Sequence, residues 1–322
     1  MLKRVVITNY RGEKMEYRIG DAMVNTSNDP NWISPETSGL LITSIDGLGP
    51  VKANINITEL TTTDGGIFNS ARLNSRNIVI KALFMNAKSI EEARLLSYKY
   101  FPIKKKLKFY IQTDNREAET EGYVESNEPD IFSEHSGCQI SVLCESAFFN
   151  AAGDDAQQII RFSSTVPMFK FPYRNVSTLA KPKETIFGEY IRRRESVVTY
   201  NGDSETGIVL KIHFTGEATK IKIYNTDTSE FIMLDTDKLP SVVSGSEPKF
   251  LNGDNVDICT IQGKKSIKLI RMGETYNILN LLDKNSDWFM LAKGANGFVY
   301  EASSGDENIE LIIEAGVIYE GV

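Results

Sequence analysis

Apolar residues in this chain recur at every second position far more often than at helical spacing. Val51, Ala53, Ile55 and Ile57 alternate with Lys52, Asn54, Asn56 and Thr58, and Ile78, Ile80, Ala82 and Phe84 repeat the pattern. Period-two alternation sends successive side chains to opposite faces of a strand, so both runs are expected to be half-buried and to pair antiparallel across a long connection. Within that connection Asp64-Gly65-Gly66 marks a turn, because glycine accepts positive φ at no steric cost.

Lys3–Thr8 reads as a short strand closed by a turn at Asn9–Gly12, and the polar stretch Gly20–Gly39, with Trp32, as a surface excursion. One helix stands out. Ser89 and Glu92 fit a capping box, and Ile90, Ala93, Leu95, Leu96 and Tyr100 give an apolar stripe. Pro102 ends it, having no N–H to donate and disfavouring helix in the residue before it. Alternation returns at Leu107, Phe109 and Ile111, then over Ala118–Val124 and Cys138–Cys144.

Pattern weakens over Phe148–Tyr200, which carries Arg192-Arg193-Arg194, with strands expected near Ile159–Phe162 and Val197–Tyr200. Beyond it, Ile208–Phe214, Ile221 with Ile223, Ile258 with Ile261, Ile267 with Leu269, and a last strand at Ile309–Ile313 alternate in turn. Gly294–Gly297 reads as a tight turn. Short strands with turn signals every ~8–12 residues point to a β-sandwich, and no crossover helices for a parallel sheet are present. The expected class is therefore mainly β: residues 1–148 a β-barrel or sandwich with one helix, and 149–322 a β-sandwich, with 149–200 as the junction.

Composition narrows the function. The 322 residues, 41% of them hydrophobic, suffice for about two cored domains, and a net charge of −7 lacks the basic footprint of a non-specific nucleic-acid binder. Cys138, Cys144 and Cys259 have no metal spacing; the first two share a face with Ile140 and Val142 and read as small core residues of a protein folded in a reducing compartment. The N-terminus lacks the pattern of a signal peptide, and no apolar run approaches the ~18 residues of a membrane span.

Catalytic constellations are absent from the pattern. Of the two histidines, His135 lies in a polar loop and His213 faces away from Ile212 and Phe214. A nucleophilic triad would need one of them, and zinc chemistry several ligands at fitting spacing. Asn252-Gly253-Asp254-Asn255 has calcium-loop residue types in the wrong order and reads as a turn before a strand. Asp46-Gly47-Leu48-Gly49-Pro50 leads into a strand rather than a helix, so it is a bent turn and not a phosphate cradle. No catalytic, cofactor or metal residue is expected. Phe169, Phe171 and Tyr173, in MFKFPYRN, suit either core packing or a docking arm.

The run SIDGLGP, a β segment, then Asp64-Gly65-Gly66, Arg72, Arg76 and Ile78–Ile80, followed by a helix ending in Tyr98–Phe101, resembles the siphovirus-type distal tail protein (Dit) family. Gly122–Ser133, Asn201–Asp203, Leu251–Ile258, and Trp288 with Gly294, Asn296 and Phe298 resemble the same family in the same order. The resemblance implies an N-terminal ring domain with a β-hairpin arm and a galectin-like C-terminal sandwich. It further implies a homohexamer at the distal end of a phage tail, joining tail tube protein to tail-tip hub protein, with receptor-binding or baseplate proteins attached. DNA would only pass through the lumen, and no membrane or cofactor would be involved. The virion would be its location, after assembly in the bacterial cytoplasm. On this reading Leu60, Thr62, Asp64, Gly65, Phe68, Arg72 and Arg76 belong to an intersubunit arm, and Phe169, Phe171 and Tyr173 to partner docking. The rival expectation is a carbohydrate-binding adhesion protein using the galectin-like half, for which His213 and Trp288 are the residue types available, although Trp288 sits among apolar neighbours and reads as core.

Overall fold

The computed structural model describes residues 2–18, 33, 39–61, 64–85, 89–130, 137–167 and 188–322. Most of the Gly20–Gly39 excursion, Thr62, His135, and Phe169, Phe171 and Tyr173 lie outside the described residues. By its contacts the chain divides into two units, Met1–Ala156 with Ile318–Val322, and Gln157–Val317.

The first unit contains β1 (Leu2–Thr8), β2 (Lys14–Arg18), β3 (Leu40–Asp46), β4 (Ala53–Glu59), β5 (Gly66–Leu73), β6 (Arg76–Phe84), α1 (Ile90–Tyr100), β7 (Lys106–Thr113), β8 (Glu117–Pro129), β9 (Gly137–Cys144) and β10 (Phe149–Ala151). Its main sheet is antiparallel, in the order β2-β1-β7-β8-β9-β6-β3. The two edges of that sheet meet where the Tyr17 hydroxyl donates to the Thr43 carbonyl at 3.4 Å, so the sheet curls into a nearly closed barrel. Val5 and Ile7, Ile78 and Ile80, Leu107, Phe109 and Ile111, and Ile140 and Val142 fill its interior from alternate positions. Cys138 and Cys144 are buried with them.

Helix α1 connects β6 to β7 and covers one end of the barrel. The Ser89 hydroxyl caps it by accepting the Glu92 N–H at 3.2 Å. Its inward face is Ala93, Ser97 and Tyr100, held by an Asn127 Nδ2 bond to Ser97 Oγ at 3.4 Å and an Asn9 Nδ2 bond to the Tyr100 carbonyl at 3.5 Å. Leu95 does not belong to the buried stripe: it is 61% exposed, because its position in the turn points away from the face set by Ala93 and Ser97.

Two expectations for the opening stretch are corrected. The run from Ala53 to Thr58 pairs with β5 and not with β6, whose partners are β3 and β9. Nor is it half-buried, since every residue of β4 after Ala53 is exposed. The residues between the two runs hold a strand that period-two reading does not reveal. In β5 a bulge interrupts the register between the pairs Asn56–Ser70 and Ile57–Phe68, so Phe68 changes parity relative to Ala71 and Leu73.

The second unit contains β11 (Gln157–Arg161), β12 (Ser163–Pro167), β13 (Gly188–Arg192), β14 (Glu195–Tyr200), β15 (Ile208–Phe214), β16 (Thr219–Asn225), β17 (Phe231–Leu234), β18 (Asn255–Cys259), β19 (Ser266–Arg271), β20 (Glu274–Asn277), β21 (Gly294–Ser304) and β22 (Ile309–Gly316). Two antiparallel sheets, β11-β22-β15-β18-β19-β20 and β14-β21-β16-β17, form a sandwich, and β12 pairs separately with β13. Ile208, Leu210, Ile212 and Phe214 of one sheet and Ile221, Ile223, Phe298 and Tyr300 of the other are buried. The Tyr300 hydroxyl crosses between the sheets to donate to the Ile309 carbonyl at 3.3 Å.

Gly294–Gly297 is no turn but the start of β21, laddered to β14 through Gly294–Tyr200 and Gly297–Val197. The glycine at 297 serves close approach, since a Cβ there would lie 2.2 Å from Thr226 Oγ1. Ile261 falls beyond the end of β18. Trp288 is half-buried under Lys265 Nζ, 5.3 Å from its ring centre, and Phe289 is the buried residue instead. Ile309–Ile313 is not the last strand: a further one, β23 (Ile318–Tyr319), pairs with β10 in the first unit.

Candidate protein–protein interface

Among the described residues the hairpin β4–β5 is a two-stranded sheet with no third strand. Its register gathers most of the apolar side chains on one side. Ala53 faces Leu73, Ile55 faces Ala71 and Ile57 faces Phe68, all on one side. Asn54 with Arg72, Asn56 with Ser70, and Thr58 with Ile67 occupy the other. The bulge makes this sorting possible, because it restores Phe68 to the side of Ala71 and Leu73. Asn69, the extra residue, bonds back to Thr58 Oγ1 at 2.6 Å. The result is one continuous apolar face in contact with water: Phe68 is 62% exposed, and Ile55, Ile57 and Leu73 are also exposed. An isolated hairpin of this kind gains nothing in water from such a face.

Two glycines lead into β5. Gly65 has φ +95°, and at Gly66 a Cβ would fall 2.4 Å from Ile57 Cγ2. Leu60 and Asp64 stand exposed around it. Arg72 projects on the polar side.

Arg76 lies elsewhere. It opens β6, is 1% exposed, and spends all five of its N–H donors on carbonyls of its own chain. Nε and Nη2 reach Ala147 O at 3.1 and 2.7 Å, Nη1 reaches Gly47 O and Gly49 O at 2.7 and 2.6 Å, and Nη2 also reaches Glu320 O at 2.6 Å. The guanidinium carbon sits 4.0 Å from the centre of the Phe149 ring. Burial pulls its pKa below the usual arginine value, with the neighbouring Cys144 thiol offsetting part of that. Arg76 thus fixes the root of the hairpin: Gly47 and Gly49 precede β4, and Arg76 follows β5.

Of the residues expected to form an arm, the structure brings Leu60, Asp64, Gly65, Phe68 and Arg72 together on the hairpin and puts Arg76 at its base. Ala71 and Leu73 were not singled out by sequence reasoning, and Ile55 and Ile57 were read there as a half-buried strand and not as part of the arm. Their parity with Phe68 could be recovered only by knowing of the bulge. His213 is engaged with Asn255, Nδ1 to Oδ1 at 2.8 Å. Asp254, read from sequence as a turn residue, is buried in a bidentate pair with Arg271, at 2.9 Å to Nε and 2.5 Å to Nη2. Among the described residues no group of three or more His, Cys, Asp or Glu could hold a metal ion, and no helix is long and apolar enough to cross a membrane.

No curated protein matches the chain. Residues 201–312 match the siphovirus-type tail component, C-terminal domain family. Among solved structures, the chain is similar to the crystal structure of the SPP1 Dit protein, gp 19.1, described as a paradigm of the hub adsorption apparatus in phages infecting Gram-positive bacteria. The identity is 12%, 98% of each chain is covered and the TM-score is 0.60. A chain of the phage P2 baseplate in its activated conformation with calcium aligns over 100% of both chains at 11% identity, with a TM-score of 0.44. The chain therefore has the Dit fold over nearly its whole length, and its residues 201–312 are similar to the C-terminal domain of siphovirus-type tail components.

Proposed function

We propose that the protein is the structural hub at the distal end of a bacteriophage tail. In this role it is a non-catalytic subunit of a homohexameric ring that joins tail tube protein to tail-tip hub protein and anchors receptor-binding or baseplate proteins. The ring is part of the virion, assembles in the host cytoplasm, and lets DNA pass through its lumen without gripping it. The galectin-like sandwich, with Phe169, Phe171 and Tyr173 before it in the chain, supplies docking for those outer proteins.

The observation that carries the reading is the apolar face of the hairpin, which the described residues of its own chain leave exposed. Covering Ile55, Ile57, Phe68 and Leu73 with a second chain stabilises an assembly by ~1.5–3 kcal/mol for each side chain fully buried. A ring of identical subunits needs a heterologous contact, in which a feature on one copy meets a different surface on the next, and a projecting arm suits that role. The Dit fold supports the same conclusion.

Mass measurement of the purified chain, with electron-microscope class averages, tests the proposal. The expected particle is a ring of six subunits, and deletion of Leu60–Asn69 should give a folded monomer, because the hairpin adds nothing to the barrel core. A chain that stays monomeric even with tail tube and tail-tip proteins, or rings that persist after the deletion, would overturn it.

A further inference from the structure

Resting on that reading of the hairpin as an intersubunit arm, we infer that the arm's apolar face seats on the outer face of helix α1 in a second copy of this chain, with the arm's tip at the C-terminal end of the helix.

Topology separates the two surfaces. The hairpin joins the end of β3 to the start of β6, and α1 joins the end of β6 to the start of β7. They therefore leave opposite ends of the same strand, and the helix cannot be the arm's resting place at the end of the barrel where the arm is rooted. Such an arrangement favours contact between copies in head-to-tail order, the heterologous type that closes into a ring when the rotation allows.

The helix offers a matching surface. Leu95 is 61% exposed, Tyr98 44% and Ile103 47%. Leu95 and Tyr98 are three positions apart, one above the other on the helix face. The lengths agree: seven residues of β4 extend ~23 Å at ~3.3 Å each, and the eleven residues of α1 ~16 Å at 1.5 Å each, with Ile103 beyond its end.

Charge gives the direction. Along the exposed face of the helix the order is Glu91 and Glu92, then Leu95 and Tyr98, then Lys99, and beyond it Ile103, Lys104 and Lys105. Along the arm the apolar face ends in acid, with Glu59 and Asp64 at the tip, while Arg72 near the base projects from the polar side. Among the described residues neither Glu59 nor Asp64 meets a cation of its own chain, and Glu59 shares its side of the hairpin with Ile57. Seating the acidic tip on Lys99, Lys104 and Lys105 brings unlike charges together there, whereas the opposite orientation sets that tip against Glu91 and Glu92.

Two kinds of variant decide the matter, all at exposed positions and each checked for a native circular dichroism spectrum. Leu95→Glu with Tyr98→Glu should weaken self-association by about tenfold or more, as should Phe68→Glu, since either buries an unpaired charge in the contact. Glu59→Lys with Asp64→Lys should weaken it too, and pairing that variant with Lys99→Glu, Lys104→Glu and Lys105→Glu should restore it. If Phe68→Glu breaks the assembly while the helix variant leaves it intact, the arm contacts another chain but the helix is not its acceptor, and the present inference falls alone. If neither changes the assembly, the arm reading falls with it. Disulfide trapping gives a second readout: in a Cys259→Ser background, Phe68→Cys on one copy should cross-link to Leu95→Cys on another, and not to Ile159→Cys. Equal yields with the two partners would overturn the inference.

Discussion

The Arg76 guanidinium donates to the main-chain carbonyl of Glu320 at 2.6 Å, closing a loop of 244 residues. The chain leaves the first unit after β10 and returns to it as β23, and these two strands pair through Phe149–Tyr319 and Asn150–Ile318. The returning tail then lies against the root of the hairpin. The Val322 N–H donates to the Leu48 carbonyl at 3.1 Å, and a Cβ on Gly321 would fall 2.9 Å from Pro50 Cδ. Arg116 holds the same tail, bonding Gly321 O at 3.0 Å and covering the Tyr319 ring at 4.4 Å. One buried cation thus ties together the arm root, the exit strand and the C-terminus.

Replacing that cation should therefore loosen all three. Arg76→Met keeps the stem but strands four carbonyls in a dry site, so the first unit should lose on the order of 3–5 kcal/mol. Arg76→Lys should not rescue it, because an ammonium has three donors and no planar fork. Calorimetry of the full chain checks this: the transition of the first unit should move down while that of the second stays in place. Hydrogen exchange at Val322 should accelerate in parallel. An unchanged first transition would show that the carbonyls find other donors.

The two glycines before the hairpin should respond very unequally to substitution. Gly47 has φ +90°, and a Cβ there would lie 2.1 Å from the Asn77 carbonyl oxygen, a backbone atom that cannot swing aside. Its own carbonyl is one of those Arg76 binds. Gly47→Ala should cost at least ~3 kcal/mol, combining left-handed strain with a clash. A Cβ on Gly49 meets nothing within 4 Å, and Gly49→Ala should change stability by no more than about 0.5 kcal/mol. Urea denaturation of both variants measures the difference, and equal midpoints would contradict it.

Much of this architecture was legible because water imposes it. Wherever one strand face is buried, the alternation has to appear in sequence, as at Ile78–Ala82, Cys138–Cys144 and Ile208–Phe214. Ser89 and Pro102 bound α1 through backbone hydrogen bonding that is local, and local rules suffice there. The hairpin defeats the same reasoning. Ile55 and Ile57 alternate like core residues, yet alternation states only that a face is apolar and not what covers it. The bulge at Asn69 then hides β5. The return of β23 to the first unit leaves no signal, being two residues long. The roles of Arg76 and Asp254 depend on partners distant in the chain, so a charged residue opening or preceding a strand carries no mark of burial.

That distinction between an apolar face and a covered one is measurable. Ile80 is fully buried in the barrel, whereas Ile57 is 54% exposed on the hairpin. Ile80→Ala should destabilise the isolated subunit by about 2–5 kcal/mol, through lost burial plus the cavity left behind. Ile57→Ala should stay within about 0.5 kcal/mol. Both residues occupy inner positions of an alternating run, so comparable losses would mean the hairpin packs on its own chain. Denaturation of dilute protein, where association is absent, makes the comparison.

Thiol chemistry offers a test by pH. Burial pushes the Cys138 thiol up from 9.0 to about 12, and raises Cys144 as well, against a weaker opposing pull from Thr120 and Arg76. Below pH 9.0 both folded and unfolded chains keep the Cys138 proton, and its contribution to stability is fully present. Above that value the unfolded chain ionises first, so stability falls as pH rises toward 12, by up to ~1.4 kcal/mol per pH unit for this thiol. Tyr110 adds to the same alkaline side, since burial and its bond to Glu117 lift it to about 12. Cys138→Val should therefore flatten the slope between pH 9 and 12 without abolishing it. At pH 8 a thiol reagent should modify half-exposed Cys259 quickly in the folded chain and leave Cys138 and Cys144 intact. Rapid modification of all three under native conditions would show that the barrel opens around β9.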